Sequence, residues 1–346
     1  MISLLQAYRG IAAFLVVLFH AKMTVEEYFG GHNLLYIFNI GETGVQFFFV
    51  LSGFIIFYIH EKDLGVTENV YCYLSKRMLR IYPIYIIITL LFAPFWLLIP
   101  DFGNAYHKEI IPLIKSILLI PQNNHPHLGV AWTLTHEVLF YLLFAIAIIN
   151  KTTGKWVLTS WFCLVLAFNF SNISLAFPFD FLLSINNLLF GMGIATAMLL
   201  ARYQKIPSNK VIFILSNIIF FTAALGAITF QEQGSHTTNI LFVILIGIAA
   251  AVIILQAKDV YLEIFFGQRT GLLLLGEASY SIYLIHFPVL SAVSKLLQSI
   301  AGNILHPLIA FMMMVIVAIA CGILFYLLVE RPITGFLSQS VRKRYC

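Results

Sequence analysis

Four ionisable side chains stand inside stretches that are otherwise apolar: Arg9, His20, Glu137 and His286. Such groups are expensive to hold in hydrocarbon and are functional candidates by default. A histidine with a nearby carboxylate can take the proton from an attacking hydroxyl, the carboxylate fixing the imidazole tautomer and stabilising the imidazolium. Arginines bind phosphate bidentately and remain charged, so Arg77 and Arg80, three residues apart with Lys76 beside them, make a candidate phosphate clamp. These residue types together suit acyl transfer from a donor with a phosphorylated head to a hydroxyl. Arg9 and His20 are eleven residues apart. That step turns an ideal helix by three turns plus about 20°, so both side chains share one face about 16 Å apart, comparable to an extended pantetheine arm.

The elements that must position these groups are membrane helices. With 61% hydrophobic residues, 10% charged residues and 32 Phe in 346 positions, the chain is far more apolar than a soluble domain. The expected architecture is all-α, a polytopic membrane helix bundle of about ten spans near 5–23, 41–59, 81–99, 132–149, 156–170, 184–201, 211–230, 239–257, 271–290 and 306–329. No composition shift marks a separate soluble domain, so 1–346 reads as one transmembrane domain with a basic tail from about 330. The net charge of +5 is spread over several loops, which speaks against a nucleic-acid partner and leaves membrane lipids as the surroundings. Fifteen Lys/Arg fall on one side of this topology and four on the other, which puts both termini in the cytoplasm. Segment 110–120 is apolar but short, the signature of an interfacial or re-entrant helix before the turn-rich Pro121–His127. The first segment lacks a small-x-small cleavage site and reads as a retained span. Cys163 and Cys321 fall in apolar spans and Cys72 and Cys346 in basic segments, which argues against a disulfide framework.

On this topology His20, Glu137 and His286 belong to the outer leaflet, while Arg9 lies level with Lys76–Arg80 and Glu330-Arg331-Pro332 at a cationic inner side. Each group also has a plainer explanation. Arg9 could snorkel to the headgroups, and Lys76-Arg77 could be a positive-inside anchor. His286 could answer backbone carbonyls freed by Pro288. Ser52 lacks an adjacent base and suits close helix packing. His136-Glu137 begins like a zinc-binding His-Glu-x-x-His helix, but position 140 is Phe, and no metal is expected.

Several ordered motifs resemble the acyltransferase-3 family of membrane acyltransferases, especially its exopolysaccharide and lipopolysaccharide O-acetyltransferase branch. They are Leu5-Gln6-Ala7-Tyr8-Arg9-Gly10-Ile11-Ala12-Ala13 with His20, Gly44-Val45-Gln46-Phe47-Phe48-Phe49-Val50-Leu51-Ser52-Gly53-Phe54, and Lys76-Arg77-Met78-Leu79-Arg80-Ile81-Tyr82-Pro83. Trp132-Thr133-Leu134-Thr135-His136-Glu137, Leu275–His286 and Glu330-Arg331-Pro332 follow. The resemblance implies a bacterial inner-membrane enzyme that moves acetyl from cytoplasmic acetyl-CoA to a hydroxyl of a surface or lipid-linked glycan on the periplasmic side. It implies His20 and Glu137 as catalytic residues and Arg9, Arg77 and Arg80, with Lys76 beside them, as donor-binding ones. Tyr141, Tyr283 and His286 are the candidate substrate contacts, and loops 24–40 and 100–131 are expected to meet the sugar. No further span or esterase-like domain is expected after the last span, and Glu277 stands where the pattern leads one to expect a neutral or basic residue.

Two other classes fit the composition. A secondary transporter of a small anion or lipid-linked glycan would use Arg9 and the outer titratable groups as substrate and proton sites. A membrane scaffold would tolerate apolar replacements of the buried charges, which their cost makes the weakest reading.

Overall fold

The computed structural model describes residues 2–31, 34–98, 105–171, 173–202, 209–230 and 236–345, apart from the side chains of 105, 258, 303 and 340–345. Of the loops expected to meet the sugar, residues 32, 33 and 100–104 lie outside this set, as does Cys346. All regular secondary structure among the described residues is helical, with no strand among them. The helices are α1 (Ser3–Phe29), α2 (Thr43–His60), α3 (Asn69–Leu98), α4 (Ile110–Ile117), α5 (Trp132–Ile149), α6 (Lys151–Phe170), α7 (Phe179–Leu182) and α8 (Asn186–Arg202). They continue with α9 (Lys210–Phe230), α10 (His236–Leu255), α11 (Val260–Gly267), α12 (Thr270–Glu277), α13 (Ser279–Ala301), α14 (Pro307–Phe325) and α15 (Arg331–Tyr345).

Helices are the only open-ended way to satisfy backbone hydrogen bonds in hydrocarbon. Nine of those described are long and apolar enough to cross a membrane. The segment expected near 156–170 is helical as well, but α6 starts with Lys151-Thr152-Thr153-Gly154-Lys155 and falls short of that apolarity. The segment expected at 271–290 is divided: α12 ends at Glu277, Ala278 intervenes, and the long span is α13. Cys163 and Cys321 are free thiols. Cys72, against the sequence expectation, is disulfide-bonded, a pairing that spacing along the chain does not announce.

The chain divides into two compact units, Met1–Tyr58 with Leu189–Tyr326, and Ile59–Leu188 with Leu327–Cys346. In the first, α1 packs against α11, α12, α13 and α14. Its contact face is a stripe of Ala13, Val17, Ala21 and Val25, each four residues on, against Ile282, Leu290, Ala310, Phe311, Met314 and Ala318. Without a hydrophobic drive between helices in lipid, such interfaces rest on close van der Waals packing, which small residues permit. The crossing of α1 and α12 is the extreme case. A methyl group on Gly276 would fall 1.9 Å from the Gln6 carbonyl oxygen, and one on Gly10 would fall 2.8 Å from the Gly276 nitrogen.

In the second unit α3 and α5 run antiparallel, because the Gly65 N–H donates to the Ala147 carbonyl at 3.1 Å and the Tyr73 hydroxyl to the Tyr141 carbonyl at 3.2 Å. The short apolar segment at 110–120 forms the helix α4, with Ile110, Ile111 and Ile114 exposed and Leu113 and Ser116 buried. Ser116 anchors the following loop: its hydroxyl oxygen accepts from the His127 N–H at 3.0 Å and the Gln122 amide at 3.1 Å. The His127 ring is 3% exposed and its Nε2–H donates to the His107 carbonyl at 3.1 Å.

Burial, opposed by that hydrogen bond, lowers the His127 pKa from 6.5 to about 4. A folded-state pKa below the unfolded one means the unfolded chain binds the proton first, so the stabilisation is present above about pH 6.5 and is lost as pH falls towards 4. Between pH 7 and pH 4.5, resistance of this loop to limited proteolysis should fall more steeply in the wild type than in His127→Gln. Equal pH slopes would contradict the assignment.

Candidate active site

In the first unit α1 carries Arg9 and His20 on one continuous helix, as their spacing requires. Arg9 is buried and donates to Gln6 Oε1 at 3.3 Å and to Ser279 Oγ at 3.0 Å. His20 meets His286 of α13. Nδ1 of His20 is 3.0 Å from the Val16 carbonyl and 3.2 Å from His286 Nε2, and His286 Nδ1 is 3.1 Å from the Ile282 carbonyl.

These contacts fix the protons. A carbonyl only accepts, so both Nδ1 atoms must carry hydrogen. The Nε2 of His286 is then a bare acceptor for a three-centre bond from His20, and the Nε2 of His20 keeps its lone pair with no partner among the described residues. That nitrogen can accept a proton. Phe19 and Phe287 set their rings edge-on to His20, and His286 is wholly buried against Tyr283. The carbonyl that Pro288 deprives of a donor is four residues back, at Leu284. His286 donates to Ile282 instead, so it does not fill that gap. Tyr283 is 7% exposed and lies between the rings of Phe48 and His286. Glu277, whose role the sequence left open, accepts from the Tyr326 hydroxyl at 3.1 Å.

The second unit holds the other charges, at a depth the sequence misjudged. Helix α3 begins at Asn69, not near 81, so Arg77 lies in its third turn. Lys76, Arg77 and Arg80 depress local hydropathy and hide that start. Tyr73 and Tyr141 are level, so Arg77, four residues after Tyr73, is level with Glu137, four before Tyr141. The Tyr141 hydroxyl donates to the Glu137 carboxylate, and its charged neighbours are Glu137, Arg80 and Arg77. Glu137 and the paired arginines therefore form one cluster rather than sitting at opposite leaflets. Lys76 stands apart, exposed on another face of α3.

Arg77 is 7% exposed and donates through Nη2 to His60 Nε2 at 2.9 Å. His60 donates through Nδ1 to Asp63 Oδ2 at 2.7 Å, and Asp63 Oδ1 accepts from the Asn69 amide at 2.7 Å. The Nε–H of Arg77 is buried without a hydrogen-bond partner among the described residues, an expensive vacancy for a charged donor and one a bound acceptor would fill. His60, Asp63 and Asn69 escaped the sequence reading because, at the end of one apolar run and the start of the next, they look like ordinary solvated caps. His136 was noticed only as half of a zinc motif. Its Nδ1–H donates to Asn187 Oδ1 at 2.8 Å, and the Asn187 amide is tied to the Phe181 and Leu182 carbonyls at 3.0 and 3.1 Å.

Residues 4–327 match the acyltransferase-3 family, described as an acyltransferase domain. The exopolysaccharide production protein ExoZ of Rhizobium meliloti (strain 1021) is 29% identical over 326 residues, covering 92% of this chain and 94% of that protein. No solved structure matches.

With histidine labelled by nitrogen-15, the spectrum of the detergent-solubilised protein at neutral pH should show His20 and His286 protonated at Nδ1 and bare at Nε2. A protonated Nε2 on His20 would overturn this tautomer assignment.

Proposed function

The chain belongs to the acyltransferase-3 family of membrane acyltransferases, and on that premise we propose that it moves acetyl from acetyl-CoA to a hydroxyl of a surface polysaccharide. The name of the exopolysaccharide relative supports the acceptor class. On the ten-span reading of the sequence, with α6 crossing as well, fifteen of the twenty Lys and Arg fall on one side, which supports entry of the donor from the cytoplasm of a bacterial inner membrane, with both termini there and the acceptor met on the periplasmic side.

The observation that carries the reading is the bare Nε2 of His20, held in one tautomer by Val16 and His286. This nitrogen accepts the hydroxyl proton as the sugar oxygen attacks the thioester carbonyl. The C–O bond forms, the C–S bond breaks, and the proton on His20 passes to the departing thiolate to give CoA. In a buried site the three-centre bond from Nδ1 to His286 also spreads the charge of the transient imidazolium.

Arg77 and Arg80 hold the donor's acidic groups, Arg77 through the Nε–H that no described residue answers. Arg9, buried and bonded on α1, contributes charge to the donor route, and Lys76, exposed, meets the donor first. Glu137, bonded to Tyr141 beside the two arginines, is the catalytic carboxylate that keeps this cluster from being purely cationic. Tyr141, Tyr283 and His286, each bonded or stacked within its unit, orient these groups and shape the substrate's surroundings. Membership of an acyltransferase family supports acyl transfer over the transport reading.

Purified His20→Ala, folded and inserted, should lose acetyl transfer to glycan by about 10²–10⁴-fold, the usual worth of a general base. Glu137→Gln should lose activity as well. Full glycan acetylation in both would refute the reading.

A further inference from the structure

A cavity of about 160 Å³ opens at the first turns of α5, between the loop Ile120–Pro126 and the wall formed by Trp132, Thr135, His136 and Phe181. No Lys, Arg, Asp or Glu lines it, so it offers no counter-ion to a phosphate, a uronate or an ammonium group. Its polar equipment is neutral: the amides of Asn123 and Asn124 and the ring of His125 are exposed and make no hydrogen bond among the described residues. The same cavity is lined by Trp132, whose indole meets the His136 ring edge-on with centroids 5.6 Å apart.

The cavity is built before any ligand arrives. His136 is clamped by Asn187, whose own amide is tied to two carbonyls, and Phe181 lies against its ring at 4.3 Å. On the loop side, Ser116 holds both Gln122 and His127, which bracket the asparagines. Pre-organised walls spare the ordering cost of binding. Neutral amides that both donate and accept, sharing a cavity with an indole, suit a ligand that has both adjacent hydroxyls and a C–H face.

We infer that this cavity is a sugar subsite, which takes one neutral pyranose unit of the acceptor polysaccharide through Asn123, Asn124 and His125 with its C–H face toward Trp132. The inference rests on the glycan-acetyltransferase reading and names where that acceptor is gripped. The polar contacts concern binding only, so they should govern affinity for the acceptor and leave the donor alone.

The probe is the extracellular polysaccharide of cells lacking this chain, digested to oligosaccharides, with binding followed by tryptophan fluorescence of the full-length protein in nanodiscs. The double variant Asn123→Ala/Asn124→Ala, confined to an exposed loop, should bind the oligosaccharides about tenfold more weakly, the worth of one to two hydrogen bonds. Its acetyl-CoA binding and its rate at saturating acceptor should be unchanged. Trp132→Leu should weaken sugar binding and Trp132→Phe should restore most of it. Wild-type affinity in the double variant, or no sugar binding by the wild type, overturns the subsite. Acetyl transfer by the same wild-type samples reports separately on the reading beneath it: transfer with an unaffected double variant sinks the subsite alone, while sugar binding without transfer sinks the acetyltransferase reading alone.

Discussion

Hydrocarbon supplies no hydrogen-bond partner, so a polar group drawn into this fold is costly unless the chain or a bound group answers it. The guanidinium of Arg77 shows the constraint: its Nη2 is answered by the chain while its Nε–H has no partner among the described residues. It reaches His60, which is oriented by Asp63, which is in turn held by Asn69, so that one buried cation fixes the end of α2 and the start of α3. Removing an inner member of this chain would leave a buried charge short of an acceptor, a loss of about 1–3 kcal/mol or more. Arg9 obeys the same rule through Gln6 and Ser279, and the two histidines through backbone carbonyls one turn back. Groups held in this way have little freedom to reorganise, which is what electrostatic stabilisation requires.

Much of this was legible in the residues. Runs of about twenty apolar side chains can only be helices in a bilayer, and the few charges inside them name themselves by their cost. Arg9 and His20 share a helix because their spacing says so. What escaped was of two kinds. Where basic residues cluster, hydropathy falls and the start of α3 is lost, which carried Arg77 and Arg80 to the wrong depth relative to Glu137. Where partners are distant in sequence, no local pattern reveals them: His20 and His286 are 266 residues apart, and His136 and Asn187 are 51. The proline beside His286 offered a local explanation that the actual hydrogen bond to Ile282 replaces.

The packing and the chemistry use one device. Small residues on α1 and the facing Gly276 let backbones touch, and that closeness is what brings α13, and with it His286, onto the His20 face of α1. A bulkier seam would hold α13 away and cost His20 its contact with His286, leaving the Val16 carbonyl alone to set the tautomer. Polar satisfaction and steric closeness are here the same requirement, met at neighbouring turns of a single helix.

The most direct test of transfer across the membrane uses proteoliposomes sorted to one orientation, with radiolabelled acetyl-CoA only on the face that bears the basic segments and glycan only on the other. The account predicts labelled acetyl on the glycan, with CoA released on the donor side and no intact acetyl-CoA crossing. Labelling that occurs only when donor and acceptor share a compartment, or intact donor crossing the bilayer without transfer, would contradict it.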